Sequence, residues 1–383
     1  MIRRGAIQWV TALASLVGLL VGCGVGSTAG GQQSSGPVKI GGLVNLTGRY
    51  ALTSAPMQNG IQMAVEDVNA AGGINGRQIE LSIDDLGETN DSAINAFNKA
   101  LAADPAALVG MAVSTQVFAG APLVKKAAVP TLASGTNPRL KNQADWLFAT
   151  NVTDDISAKM VATFLVQDLR KTKIAILHIN DEYGNTGSQI ITDTVNSLGG
   201  TIVANETMAA GDKDVSAQLL NIRRAGAEAV AIWLTQSDMA VAIKQMRVLG
   251  LDVTIIAAPL LAATIKTLTP EEADGVYTQI NALPMQSDDP KVVEWSRRYE
   301  DKFHLEADSY AAMGYDSIMM LVDAIKRGGT EHDALRHALL ETKDFKGMSG
   351  THTADGSGGL AHQGLIAQIT GGGYKAVKAV AGD

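Results

Sequence analysis

Three features of the chain predict an α/β protein built as two doubly wound parallel-sheet lobes. From Val38 onward, short apolar runs alternate with amphipathic stretches. That order gives a parallel sheet with helices on both faces. After Asn151 the same alternation starts again. The two halves also echo each other: Lys39-Ile40-x-x-Leu43 is matched by Lys173-Ile174-x-x-Leu177, and Asn69-x-x-Gly72-Gly73 by Asn196-x-x-Gly199-Gly200. Tandem similar lobes account for such an echo. The length of 383 residues fits about two domains, each able to bury its own core.

The chain opens with a targeting segment. Arg3 and Arg4 precede a mostly apolar run from Ala6 to Val21, which ends in Leu20-Val21-Gly22-Cys23. This resembles a bacterial lipobox, in which the cysteine is lipidated and becomes the new N-terminus. The alternative is an ordinary signal peptide or membrane anchor with an incidental cysteine. Cys23 is the only cysteine in the chain, so no intramolecular disulfide forms. Residues 1–22 are thus expected to be a signal peptide, and 23–37 a tether. Its Gly/Ser/Gln-rich composition gives a flexible coil spanning on the order of 20 Å. No later segment has the ~18 uninterrupted apolar residues of a membrane span.

Within the folded part, Val38 to Asn45 reads as a strand, and Met57 to Ala71 as a helix stopped by Gly72-Gly73. Ile79 to Ile83 is a strand ending in Asp84-Asp85, and Asp91 to Ala103 a helix. Ala106 to Val109, the run around Val129 to Ala133, and Trp146 to Thr150 are further strands. The second half reads as helices at Ser157 to Leu169, Gly187 to Leu198, Val215 to Ala225 and Ser237 to Leu249. Strands at Lys173 to Asn180, Thr201 to Glu206, Ala229 to Leu234 and Val253 to Ala257 separate them. Beyond Ala282-Leu283-Pro284 come two long helices, Pro290 to Phe303 and Ser309 to Arg327, placed to complete the first lobe. Glycine-rich hairpins follow around Gly350 to Gly359 and Gly371 to Gly373.

Two strand ends stand out as a candidate site. Gly110 leads into Ser114-Thr115, and Val129-Pro130-Thr131-Leu132-Ala133 leads into Ser134-Gly135-Thr136. Ser and Thr cap helices well, and the free amides of a helix start also hold anions such as carboxylates. Ligands of parallel sheets bind at these C-terminal strand ends. The competing reading is that Ser114 and Thr136 only cap helices or turns. Pro122 leaves the start of the helix after Ser114 open, because proline sits in a first turn or kinks a helix.

Other chemistry is excluded or thin. A net charge of -8 without a long basic run argues against nucleic acid. The six histidines form no HxxxH-type pair, so no metal site is expected. Phosphate-loop, dinucleotide and nucleophile-elbow motifs are absent, so no cofactor and no enzymatic activity are expected. Asp84 and Asp85 point to opposite faces of a strand and read as a turn. Trp233 reads as core.

The pieces Ile40-Gly41 to Thr47-Gly48, Asn59-Gly60, Asn69 to Arg77, Asp84-Asp85, Gly110 with Ser114-Thr115, Thr136-Asn137-Pro138 and Asp181-Glu182-Tyr183-Gly184 carry a resemblance in their order and spacing. Over Val38 to Lys378 the chain resembles the type I periplasmic solute-binding proteins of ABC transporters, in the leucine/isoleucine/valine-binding branch and its lipoprotein form. The resemblance implies two lobes joined by a three-strand hinge: residues 38–152 plus 284–345, and residues 153–283 plus 346–383. It implies that ligand is trapped by hinge closure. It places a carboxylate-binding serine at Ser114, beside Thr115, and a carboxylate- and ammonium-contacting threonine at Thr136. It also places a residue that offers its backbone carbonyl as an acceptor at Ser134 and a closing aromatic at Tyr183.

Three positions depart from the family pattern. The ammonium-pairing acid is missing, and Leu260 stands near its place. The first-loop tyrosine is missing, with Thr53 near its place and Tyr50 three residues earlier. Thr235 and Gln236 replace an aromatic-rich loop. An ammonium buried without a counter-charge loses several kcal/mol. Either Asp181, Glu182 or Asp238 supplies the charge, or the ligand has no ammonium. The expected function is an extracytoplasmic, lipid-anchored, monomeric binder that delivers an amino acid of branched-chain type to an ABC permease and ATPase. The alternatives are a binder of a non-amino carboxylate or amide, or a ligand-sensing module of the same fold.

Overall fold

The computed structural model describes residues 36–143, 145–360 and 364–380. Cys23 and the leader lie outside the described residues. The first lobe is laid down by β1 (Val38–Val44), α1 (Ala51–Ala70), β2 (Ile79–Asp85), α2 (Asn90–Ala102), β3 (Ala107–Gly110), α3 (Ser114–Ala127), β4 (Thr131–Ala133) and β5 (Leu147–Ala149). Its five strands pair in the order β2-β1-β3-β4-β5, all parallel. β3 is buried at every residue, as expected of an inner strand covered on both faces.

The second lobe contains α4 (Asp154–Thr163), β6 (Lys173–Ile179), α5 (Glu182–Ser197), β7 (Thr201–Met208), α6 (Ser216–Arg224) and β8 (Ala229–Trp233). It continues through α7 (Gln236–Val248), β9 (Thr254–Ala257), the single turns α8 (Ala262–Ile265) and α9 (Pro270–Ala273), and β10 (Tyr277–Ile280). The chain then returns to the first lobe as α10 (Pro290–Phe303), α11 (Ser309–Gly328) and α12 (His332–Leu340). A small hairpin, β11 (Phe345–Lys346) with β12 (Thr351–His352), follows. The final hairpin, β13 (Gly364–Thr370) with β14 (Gly373–Val380), completes the second sheet. That sheet runs β14-β13-β10-β9-β8-β6-β7. It is mixed rather than wholly parallel, because β13 and β14 pair antiparallel. The glycine-rich turn at Gly371-Gly372 lets the chain double back at positive φ.

Each sheet is sandwiched between two apolar clusters. α1 and α11 bury one face of the first sheet with Ile61, Met313 and Ile318, and Phe97 and Leu108 lie on its other face. Ile243 and Ile255 mark one face of the second sheet, and Phe164 and Trp233 the other. The chain passes between the lobes at 150–153, at 281–289 and again after Leu360. The last passage is fastened where Leu360 N–H donates to Ala149 O at 2.7 Å and Ala149 N–H to Gly358 O at 2.8 Å.

The structure departs from the sequence reading in several places. α1 starts at Ala51, six residues early, and carries Pro56 inside it. Pro56 removes one amide donor from the helix; α1 also meets α7 and α8 of the other lobe. α3 starts at Ser114 and runs through Pro122 to Ala127. Helix α5 starts at Glu182, with Asp181 accepting the Gly184 N–H at 3.0 Å as its cap. The stretch 346–360, assigned by sequence to the second lobe, packs on the first lobe's core through Met348, Ala354 and Leu360. Buried polar bonds hold it there. Asp316 of α11 accepts the amides of Met348 and Ser349 at 2.6 and 2.7 Å, and His352 bonds Leu360 O at 2.7 Å. No hydrophobic period announces such a contact.

Candidate functional site

A cavity of about 950 Å³, including its open mouth, lies between the lobes. Its first-lobe wall begins at the end of β3. There Gly110 (φ 108°) and Met111 (φ 58°) turn the chain into α3. A methyl group on Gly110 would overlap the Leu43 carbonyl, so the turn requires glycine. Val113 precedes the helix and supplies no side-chain cap. The helix start, with Ser114 and Thr115, therefore faces the cavity with its positive end and free amides. Ser114 Oγ accepts the amides of Thr136 and Asn137 at 3.0 and 3.1 Å. This joins the two strand ends that the sequence singled out and leaves the hydroxyl proton to donate.

Thr136 links this corner to a buried acid. Asp154, the first residue of α4, donates its N–H to Thr136 O at 2.6 Å. Its carboxyl meets the Thr136 side chain, and its Oδ2 has no partner among the described residues. Asp154 is 2% exposed and lines the cavity. Burial, with the nearby charges of Asp155 and Asp181, outweighs the Thr136 bond and pushes its pKa to about 7. Asp181 and Glu182 also line the cavity. Glu182 reaches across it to Arg139 at 2.9 Å.

The rest of the wall is apolar and aromatic. Tyr183 stacks on Trp233 with ring centroids 5.5 Å apart. A methyl group on Gly187 would overlap the Trp233 indole, so that glycine seats the indole against α5. Tyr50 faces the cavity from the first lobe. Its hydroxyl accepts from the Arg49 guanidinium at 2.7 Å, and that group also lies over the ring at 4.7 Å. Pro259 and Leu234 complete this side.

Of the residues singled out from sequence, Ser114, Thr115, Thr136, Tyr183, Tyr50 and Gln236 line the cavity. Ser134 and Leu260 do not. Ser134 is fully buried, and its carbonyl accepts the Asn151 amide at 3.0 Å, so that oxygen is already engaged. Leu260 is fully buried in the second lobe's core. Its N–H donates to Thr278 Oγ1, and its carbonyl accepts from Tyr374, both at 2.8 Å. Pro259, not Leu260, presents that loop to the cavity. Gln236 shapes the loop: its side chain bonds Pro259 O (2.6 Å), the Leu261 amide (3.0 Å) and Thr264 Oγ1 (2.6 Å). Asp238 does not line the cavity. It accepts the Thr235 hydroxyl at 2.7 Å and the Gly211 amide at 3.2 Å.

Sequence reasoning missed Asp154, Asn151, Asn281, Tyr310 and the cavity-facing role of Trp233. Asp154 and Trp233 each adjoin a lobe crossing or strand end, which is the one signal that marked them. The structure also gathers Asp316, Ser349 and His352, a nucleophile-like set the sequence did not reveal. All three are under 5% exposed and absent from the cavity lining, so they act as a fastening.

Fold and site together define a two-lobed binder that encloses a small polar-headed ligand between its lobes. Residues 37–374 match the sequence profile of the family described as Periplasmic binding protein, and the chain belongs to that family, one of extracytoplasmic substrate-binding proteins. It is 25% identical to the Leu/Ile/Val-binding protein homolog 1 of Brucella abortus, over 86% of this chain and 89% of that one. It is 27% identical to an amino acid binding protein of Pseudomonas aeruginosa, over 82% and 85%. The structure superposes on the branched-chain amino acid transporter substrate-binding protein LivJ of Streptococcus pneumoniae, solved with isoleucine. The TM-score is 0.84 at 25% identity, covering 90% of this chain and 100% of that one.

Proposed function

We propose that the cavity captures an α-amino acid with a branched apolar side chain and that the protein delivers it to an ABC permease. Thr136 is the observation that carries this reading. It connects the anion-holding corner of Ser114 and the α3 start to the buried carboxyl of Asp154. An α-amino acid carries its carboxylate and ammonium on one carbon, so one ligand headgroup fits both sites side by side. Asp154 thereby takes the place of the acid missing at Leu260. The Tyr183–Trp233 pair, Tyr50 and Pro259 offer an apolar wall to the side chain. The relatives named for leucine, isoleucine and valine support the same ligand class.

Calorimetric titration with isoleucine and with its deaminated keto acid tests the proposal. Isoleucine is expected to bind at least tenfold tighter, since the keto acid leaves Asp154 without a cation. Equal or reversed affinities would sink the amino-acid reading in favour of a non-amino carboxylate. We further infer lipid attachment at Cys23, supported by the Leu20-Val21-Gly22-Cys23 pattern. Loss of membrane association in Cys23→Ala would bear this out, and unchanged membrane fractionation would refute it.

A further inference from the structure

We infer that Asn151 and Asn281 form a clasp between two of the lobe crossings that biases the hinge toward its closed form. Asn151 lies on the crossing at 150–153, and Asn281 opens the crossing at 281–289. They are 130 residues apart in sequence, yet the Asn281 amide donates to Asn151 Oδ1. Asn151 in turn donates to Ser134 O at 3.0 Å. Gln279 Nε2, on β10, donates to Asn281 Oδ1 at 3.3 Å. A continuous run of amide bonds therefore leads from β10, an inner strand of the second sheet, across both crossings to the end of β4 in the first.

The two asparagines are 2% and 9% exposed, and both line the cavity. Their partners are specific in direction. Asn281 uses its oxygen for Gln279, while its nitrogen serves Asn151 and approaches Met313 Sδ at 3.4 Å. A buried amide stripped of its partner loses a hydrogen bond and bears a desolvation cost. Lobe rotation moves β4 relative to β10, so opening must shear this run of bonds somewhere along its length. The bonds are complete in this structure, where Arg139 of the first lobe and Glu182 of the second also meet. An interaction made in one hinge state and broken in the other shifts the population of the two. The inference rests on the two-lobe binding reading, but not on the identity of the ligand.

The test is a lobe-to-lobe distance distribution by pulsed electron spin resonance in the full chain with Cys23→Ser. Spin labels go on Lys126→Cys and Gln189→Cys, exposed positions on α3 and α5. Ligand-free protein with both asparagines intact is expected to populate closed and open distances. Asn281→Leu should reduce the closed fraction at least tenfold, Asn151→Leu should do the same, and the double variant should go no further. Isoleucine should dissociate about tenfold faster from each. If Asn281→Leu does not fold, Asn281→Ser serves in its place. Unchanged ligand-free distances overturn the clasp, even where dissociation quickens, because the asparagines would then act only by touching ligand. Effects that multiply in the double variant overturn it as well. Failure of isoleucine to bind the unsubstituted protein would count against the ligand proposal alone, since the ligand-free distances still decide the clasp.

Discussion

Asp154 ties the chemistry of the site to pH. Its carboxyl is raised to about 7, chiefly by burial, against an ordinary value near 4. The sign follows from proton counting. Between about pH 4 and 7 the folded, ligand-free protein holds a proton that the unfolded chain has released. This contribution to stability is therefore present at low pH and declines as pH rises through 7. An ammonium ligand reverses the preference, because it needs the ionised carboxylate. Binding then expels the proton below pH 7. Isoleucine affinity is expected to rise between pH 5.5 and 8, approaching tenfold per unit at the acid end. Asp154→Asn should weaken isoleucine by about 1.5–3 kcal/mol and flatten the pH profile. A profile of unchanged slope in Asp154→Asn, read by calorimetry, would remove Asp154 from the headgroup. The groups around it are Asp155, Asp181, Tyr183 and Tyr310. None of these is basic, which is consistent with the proposed ammonium ligand as the partner of Asp154.

At the scale of elements, the site depends on how closely α1 and α11 approach. Gly60 and Gly314 face each other's helices, and methyl groups there would overlap the carbonyls of Ala311 and Met57. The helices thus meet backbone to backbone, which carries the α11 start, with Ser309 and Tyr310, to the cavity. Helix propensity alone favours alanine over glycine by about 1 kcal/mol. Overpacking a close backbone contact costs about 1–3 kcal/mol or more. The second effect wins, so Gly60→Ala and Gly314→Ala should each lower the melting temperature by a few degrees. A rise in melting temperature would show that the helices can separate freely. Asp308 adds a second tie at this junction. It caps α11 through the amides of Tyr310 and Ala311, both at 3.0 Å.

Closure is a property of the whole molecule, and the contacts that span the lobes differ in weight. Leu261 of the second lobe is buried in the first lobe's core, a contact that solvent cannot screen. Arg139 and Glu182 are 63% and 48% exposed, and pairs of that kind contribute little, a median of about 0–1 kcal/mol. Arg139→Glu is therefore expected to speed ligand release by at most about fivefold at low salt, and hardly at high salt. The exchanged pair, Arg139→Glu with Glu182→Arg, should restore the slower rate. Stopped-flow release rates that ignore both the exchange and the salt would show that this pair takes no part in closure.

What the sequence determined by itself was whatever rests on local period and local chemistry. Strand and helix alternation from Val38, the repeated lobe grammar, and the hydroxyl-bearing strand ends at Ser114 and Thr136 were all legible, because each is written within a few neighbouring residues. The direction of the cavity wall was not. A one-residue difference set Pro259 in the cavity and Leu260 in the core, and only packing against Thr278, Tyr374 and Gln236 chose between them. Asp154 likewise looks like any acid in the first turn of a helix until the fold buries it beside Thr136. The packing of 346–360 on the first lobe awaited Asp316, Ser349 and His352, residues far apart in the chain or hidden in a glycine-rich stretch. Burial and long-range hydrogen bonds belong to no single segment, so tertiary structure alone decided which acid is buried beside Thr136, which loop residue faces the cavity and how far the chain stays on the first lobe before its last crossing.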